Sequence, residues 1–329
     1  MILSDVRVEP GVLRQAVTPT TLHLILLPTE ACNFRCTYCY EDFRLGKMEP
    51  WVVAGLKKLM EARAPGLERL DLSWFGGEPL LAREVVLDLL EHANALASAQ
   101  PGLVLASEMT TNGWHLELGL FTRLVQLGVD RFQISFDGPE EIHDRKRRKA
   151  GGQPTFAHIW GNLLRLREAE GKFEIRIRIH VDRENLGHVS EFLASCREAF
   201  GEDRRFVVVP KLLRRYGGEN DASLPVFEDE AEGQRALQSL RSESGRGVTA
   251  AGDGAFQEMC YASKANSFLV RADGRLGKCT VALGDPRNDI GRIHPDGRVE
   301  IDSERIAPWM RGLSSGRQLE LLCPLAGLA

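Results

Sequence analysis

The sequence predicts an α/β fold, a parallel sheet with helices packed outside it, followed by a small β-rich segment. Three observations carry this. Short apolar runs alternate with longer amphipathic ones over the first two-thirds of the chain. The period then changes, and Asp-Gly pairs begin to separate short alternating runs. The seven cysteines are unevenly placed, three of them within Cys32–Cys39.

The buried-strand candidates are Leu22–Leu27, Leu70–Phe75, Leu103–Met109, Arg131–Phe136, Ile175–Val181 and Phe206–Val209. Between them, apolar residues at spacings of three and four predict helices over Trp51–Ala64, Glu84–Ala97, Leu116–Leu127, Phe156–Glu170 and Leu186–Phe200. Six strand-helix units are too few for a closed eight-fold barrel; a partial barrel and an open doubly wound sheet fit the pattern equally. Residues 213–256 break the rhythm and read as a linker with one exposed helix near Glu230–Leu240. Asp273-Gly274 and Asp296-Gly297 then mark two hairpins, so residues 257–329 read as a small β-rich domain after a first domain over 1–212.

The chain has 329 residues, 43% hydrophobic and 27% charged, with a formal net charge of −4, which gives no electrostatic reason to expect a nucleic-acid partner. No apolar run approaches the roughly 20 residues a membrane span needs. The N-terminus lacks a signal core, so a cytoplasmic location without a membrane partner is expected. Clustered cysteines in such a chain read as metal ligands before disulfides.

Cys32, Cys36 and Cys39 directly follow the first strand, where folds of this class place their sites. Spacings of three and two residues let one loop supply three thiolates to a [4Fe-4S] cluster and leave one iron open. The alternative, structural zinc, wants four ligands, and no fourth Cys or His follows nearby. The Cys-x3-Cys-x-Tyr-Cys loop resembles the signature of the radical S-adenosylmethionine (SAM) superfamily. Further motifs follow in that family's order: Gly76-Gly77-Glu78-Pro79 after the second strand, Thr110-Thr111-Asn112-Gly113 after the third, Ser135-Phe136-Asp137-Gly138 after the fourth, then His143-Asp144 and Arg147.

The resemblance implies a partial (β/α)6 TIM-like barrel and an open iron that chelates SAM. It implies SAM contacts from Tyr38, Gly76, Gly77, Glu78, Pro79, Thr111, Asn112, Ser135 (on the ribose), Asp137 and Arg147 (on the carboxylate), with Arg145 and Arg148 as competitors for that last role. The rest of the run Arg145–Lys149 reads as a solvated loop. The spacing from Cys260 to Cys279 resembles the opening of the SPASM extension, a cysteine-rich appendage of peptide-modifying members of the family. With Cys323 it implies one auxiliary [4Fe-4S] cluster whose fourth position is open or not cysteine. Zinc, or no metal, is the alternative there. Cys196 reads as a buried inert thiol, and His180 and His294 as structural.

The function implied is reductive cleavage of SAM to a 5′-deoxyadenosyl radical and oxidation of a ribosomal peptide, by side-chain crosslinking (C–C, C–O, C–N or thioether). Formylglycine formation in a sulfatase and peptide epimerisation are the alternatives, and a non-catalytic electron-transfer or binding protein the outlying one. A low-potential donor such as flavodoxin or ferredoxin is the implied partner. The 31 residues before the loop are expected to be too few for a separate leader-binding domain. Asp137, Glu108, Tyr38, Tyr40 and Tyr261 are candidates for acid-base or radical-relay roles.

Overall fold

Proline opens the first helices, where its fixed φ suits a helical turn and its missing N–H costs nothing. The computed structural model, which describes residues 7–243 and 259–326, begins with α1 (Pro10–Val17) and β1 (Thr21–Leu26). There follow β2 (Phe34–Cys36), α2 (Pro50–Arg63), β3 (Arg69–Trp74), α3 (Arg83–Ala99), β4 (Val104–Thr111), α4 (Leu118–Gln126), β5 (Val129–Phe136), α5 (Glu140–Lys146), β6 (Arg147–Lys149) and α6 (Phe156–Leu166). The chain continues through β7 (Glu174–Val181), α7 (Leu186–Phe200), β8 (Phe206–Leu212) and α8 (Glu230–Glu243). It ends with β9 (Ser267–Val270), β10 (Arg275–Gly277), β11 (Gly291–Ile293), β12 (Val299–Ile301), α9 (Ser303–Ser315) and α10 (Gln318–Leu322). All six predicted strands and five predicted helices are present, with ends moved by a few residues. The predicted linker contains α8, and its residues 244–256 lie outside those described.

Two compact units are present. The first comprises Met1–Ala31, Phe43–Ser107 and Ala255–Ala329. Its strand order is β12-β11-β10-β9-β1-β3. β1 pairs in parallel with β3 on one side and with β9 on the other, so the C-terminal strands extend the sheet that β1 begins. His23 fixes both pairings: one ring nitrogen lies 2.9 Å from Ser73 Oγ and the other 3.0 Å from Ser267 Oγ. Both Asp-Gly hairpins form, β9–β10 and β11–β12, each antiparallel. At Gly274 φ is +81°, and a Cβ would lie 2.4 Å from the Trp51 ring, so glycine is required by conformation and by space.

The second unit comprises Cys32–Asp42 and Glu108–Gly254, with strand order β5-β7-β8, all parallel. Along β7, Ile175, Ile177, Ile179 and Val181 are buried, while Glu174, Arg176, Arg178 and His180 face the other way and are half-buried. Strict alternation is unusual for a parallel strand, whose two faces are normally both apolar. Cys196 is 1% exposed on α7, the buried thiol expected.

One reading needs correction. The run Arg145–Lys149 is not mostly a solvated loop: Lys146 and Arg147 are 7% and 6% exposed, and Arg147–Lys149 forms β6, paired antiparallel with β2. Three-residue strands carry no periodicity, so a charge run masks them. Lys146 Nζ forms an ion pair with Asp182, which is 1% exposed, and lies 3.2 Å from Glu184. Replacing one partner strands the other's charge out of water. Lys146→Ala is expected to lower unfolding free energy by about 3–5 kcal/mol, measured by chemical denaturation. A loss near that of an exposed ion pair would show that the pair does not anchor β6.

Candidate functional site

β2 holds the middle of the cysteine loop by main-chain pairing, which sets Cys36 opposite Arg147 and Phe34 opposite Lys149. Cys32 Sγ accepts a hydrogen bond from the Phe34 amide at 3.3 Å, and the Cys39 amide donates to the Cys36 carbonyl at 3.1 Å. Arg35 closes the turn by donating to the carbonyls of Cys32 (2.9 Å) and Phe34 (2.6 Å). All three cysteines are half-buried and none forms a disulfide. Burial pushes the Cys36 thiol up against the pull of Arg147, and pushes Cys39 up to about 12. Such thiols stay protonated unless a metal takes the proton's place. Among the described residues no three His, Cys, Asp or Glu side chains meet at one metal-ion position, so the fit to a cluster rests on donor chemistry. Three half-buried thiols beside a buried guanidinium suit an anionic iron–sulfur group.

Between two of these cysteines stands Tyr38, the hub of the unit's buried polar network. Its hydroxyl lies 2.8 and 3.0 Å from the two Asp137 oxygens and 3.2 Å from His180 Nδ1, and it accepts from Arg147 Nη1 at 2.7 Å. Asp137 is fully buried. Burial pushes its carboxyl up, but the His180 hydrogen bond and the charge of Arg147 outweigh that and hold it below the ordinary carboxylate range. Burial, helped by Arg178, pushes His180 down to about 4, so the ring is neutral near pH 7. The structure thus brings together Tyr38, Asp137 and Arg147, and adds His180, whose isolation in sequence hid it.

Asn185 supports this network from below. Its Nδ2 donates to the Asp137 and His180 carbonyls at 2.8 and 2.6 Å, joining the ends of β5 and β7. Asn112 Nδ2 donates to Asn33 Oδ1 at 2.8 Å, so the third-strand motif reaches the cysteine loop. Thr111 Oγ1 accepts from the Gly113 amide at 3.1 Å, stabilising its own turn. Ser135 lies on β5 opposite Arg178 of β7 and is 7% exposed. His143 and Asp144 are architectural. His143 Nε2 lies 3.1 Å from Thr155 Oγ1, and Asp144 accepts from the Thr155 and Phe156 amides that open α6. Arg145 pairs with exposed Glu141 at 2.5 Å, and Arg148 donates to the Asp144 carbonyl at 2.8 Å. Of the three arginines, Arg147 is the buried one, and it donates to the Tyr38 hydroxyl.

In the first unit, Gly76 has φ +108°, and a Cβ on Gly77 would sit 2.4 Å from the Ala31 carbonyl oxygen. The Gly-Gly pair lets β3's exit lie against the main chain that leads into the cysteine loop. The Glu78 amide donates to Ala31 O at 3.0 Å, and its buried carboxylate accepts from the Leu80 amide at 3.0 Å, over the turn that Pro79 opens. Glu30, 2% exposed, receives Arg271 Nε at 3.0 Å and Nη2 at 2.5 Å, so the β9–β10 segment clamps the same entry.

Cys260, Cys279 and Cys323 also belong to the first unit; besides burial, the charge of Cys323 disfavours ionisation of Cys260, and those of Cys260 and Cys323 disfavour ionisation of Cys279, which places the three within electrostatic reach. Burial pushes Cys279 up to about 11. Asn288 builds the Cys279 turn: Oδ1 accepts from the amides of Lys278 and Cys279 (2.8 and 2.9 Å), and Nδ2 donates to the Cys279 and Ala282 carbonyls (2.8 and 3.1 Å). Lys278 is fully buried, its Nζ donating at 2.6 Å to the carbonyls of both Lys264 and Ser267. Nothing in the sequence pattern marked either residue.

A family model described as the Radical SAM superfamily matches residues 26–195, just over half of the chain. The serine-type anaerobic sulfatase-maturating enzyme of Klebsiella aerogenes is 25% identical over 170 residues, covering 50% of this chain and 41% of that protein. The sporulation killing factor maturation protein SkfB of Bacillus subtilis is 26% identical over 184 residues, covering 52% and 38%. The chain's match thus spans about two-fifths of the length of these relatives. A solved structure of anSMEcpe with bound AdoMet and Kp18Cys peptide superposes with a TM-score of 0.68 at 19% identity, covering 89% of this chain and 82% of that one. That likeness establishes the fold, and the α/β reading with a partial barrel stands. No helix among the described residues is long and apolar enough to cross a membrane.

The buried histidines set an acid limit. Burial pushes His143 from 6.5 down to about 3 and His180 from 6.5 to about 4. Their depressed values mean that the unfolded chain binds more protons below pH 6.5, so stability is full above that pH and falls as pH drops toward 3–4. His143→Phe is expected to flatten this acid limb in denaturation midpoints measured from pH 7 to pH 4; an unchanged slope would refute the assignment.

Proposed function

The chain belongs to the radical SAM superfamily, whose members use a [4Fe-4S] cluster and SAM, and from that premise we propose that it oxidatively modifies a ribosomally made peptide by crosslinking side chains. The observation that carries the site assignment is the ribbon of β2 and β6, which sets the Cys32/Cys36/Cys39 loop against Arg147 and Tyr38 against Asp137. In this reading Cys32, Cys36 and Cys39 hold the cluster, and Arg147 meets the SAM carboxylate. Gly76–Pro79 offers its main chain to the methionine amino group, and Ser135 and Asp137 stand at the strand end where the nucleoside lies. Cluster and SAM together supply a 5′-deoxyadenosyl radical able to remove hydrogen from an unactivated carbon.

The chain's own contribution is orientation and exclusion of water. Arg147, Tyr38 and Asp137 form a pre-set array of donors and acceptor whose charges are balanced before any ligand arrives, so little reorganisation is needed on binding. Cys260, Cys279 and Cys323, within the region 257–329, are proposed to hold one auxiliary cluster, which would supply an electron acceptor for an oxidation. Asn288 orients the Cys279 turn. A cytoplasmic flavodoxin or ferredoxin is the proposed reductant. A peptide or protein substrate is supported by the relatives, which mature a sporulation killing factor or a sulfatase.

Sulfatase-type oxidation of a serine or cysteine is the second reading, favoured by the Klebsiella relative. Anaerobic reconstitution with iron, sulfide, SAM and dithionite is expected to release 5′-deoxyadenosine, and replacing Cys32, Cys36 and Cys39 together by alanine to abolish it. Turnover surviving that triple change would defeat the assignment. A serine-containing sulfatase-motif peptide incubated with the reconstituted enzyme tests the second reading by mass: loss of two hydrogens with aldehyde reactivity supports sulfatase maturation, and an unchanged peptide counts against it.

A further inference from the structure

The polar face of β7 carries two arginines and a histidine, and only one of them lacks a partner. Arg176 pairs with Glu174 at 2.5 Å, and His180 with Asp137 and Tyr38. The side chain of Arg178, between them, makes no ion pair or hydrogen bond among the described residues, and its Nε is sealed from solvent without a partner. The groups whose charge it feels are Tyr216, Tyr38, Tyr40 and Asp137, and Asp137 is already committed to Tyr38 and His180. A guanidinium does not shed its charge in a protein, so withdrawing part of it from water without a counter-ion is costly. The fork is therefore kept for an anion that arrives from outside.

Its placement indicates which one. Arg178 stands across from Ser135 of β5 and Val209 of β8, on the sheet face that also carries His180. The rings of Tyr40 and Tyr216 meet edge to face at 5.8 Å beside it, an amphipathic wall suited to a side chain with an apolar stem and a charged tip. The second unit holds two guanidiniums with an unpaired, buried Nε, Arg147 and Arg178. A SAM-dependent reaction on an acidic peptide segment brings two carboxylates to one site. Arg147, on the cysteine-loop ribbon, is placed for that of SAM.

We propose that Arg178 is a specificity-determining residue that binds a substrate carboxylate, the side chain of an Asp or Glu next to the modified position. The proposal rests on the peptide-modifying reading above. A planar fork holding a carboxylate by two parallel hydrogen bonds discriminates against the isosteric amide, because an amide cannot accept both.

The test uses the full chain, reconstituted with its cluster and SAM, and two probes, acetyl-Glu-Ala-amide and acetyl-Gln-Ala-amide. Binding is read by saturation-transfer NMR, and the SAM dissociation constant by equilibrium dialysis. The Glu probe is expected to bind about tenfold more tightly than the Gln probe, a difference that one charge-assisted pair supplies. Arg178→Met should erase the preference and Arg178→Lys keep part of it, with SAM affinity within about twofold in both. Equal binding of the two probes to the unaltered protein would overturn the proposal. So would a tenfold or greater loss of SAM affinity in Arg178→Met, since that assigns the guanidinium to the SAM carboxylate. Failure of the unaltered protein to form 5′-deoxyadenosine would defeat the radical reading instead, and the Glu-against-Gln comparison would still decide whether Arg178 binds a carboxylate.

Discussion

A carboxylate shut away from water must be surrounded by donors or lose its charge, and Asp137 is where the second unit meets that demand. Its donors come from three separate pieces of chain: Tyr38 inside the cysteine loop, His180 at the end of β7, and Arg147 on β6 acting through the Tyr38 hydroxyl. Satisfying one buried charge therefore fixes the loop, two strand ends and the antiparallel ribbon in a single arrangement. The cysteines flank the residue that does this. Cys36 is paired by main chain to Arg147, and Tyr38 lies between Cys36 and Cys39.

Within the first unit, the two residues that precede Cys32 in the chain are held by their neighbours. Ala31 lies against Gly77, close enough that any side chain there would collide, and Glu30 is gripped by the guanidinium of Arg271. Arg271 directly follows β9, which pairs with β1, so the C-terminal strands bear on the entry to the loop. The C-terminal cysteines sit in this unit on turns built by buried polar groups, Asn288 above all. Lys278, enclosed with two carbonyls, shows the same logic: a polar group taken out of water is placed only where partners are waiting.

Much of this was legible in the sequence, and what was not has a physical reason. The six strands and five helices show because each buries one or both faces, and burial writes a period into the residues. The hairpins at Asp273-Gly274 and Asp296-Gly297 show because a positive φ demands glycine, and both glycines have it. The ribbon of β2 and β6 left no trace: three residues give no period, and Lys146 and Arg147 look like solvated charge until Asp182 and Tyr38 are seen beside them. His180, Asn185, Arg178 and Asn288 were equally silent. His180 and Asn185 act through partners distant in sequence, as in the 142-residue separation of His180 from Tyr38, and Asn288 acts through main-chain groups of its own turn, which no periodicity marks. The order of motifs from Cys32 to Arg147 pointed to the proposed site, while the polar groups that pack around Asp137 are visible only in three dimensions.

The central claim is that the Cys32–Cys39 loop carries a cluster with one iron open to SAM. It is tested most directly on a protein in which Cys260, Cys279 and Cys323 are all replaced by alanine, so that only the loop can hold iron. Iron analysis should find about four irons per chain, and the electron paramagnetic resonance spectrum of the reduced cluster should change on adding SAM. A reduced cluster whose spectrum is indifferent to SAM, or no cluster at all, would contradict the account.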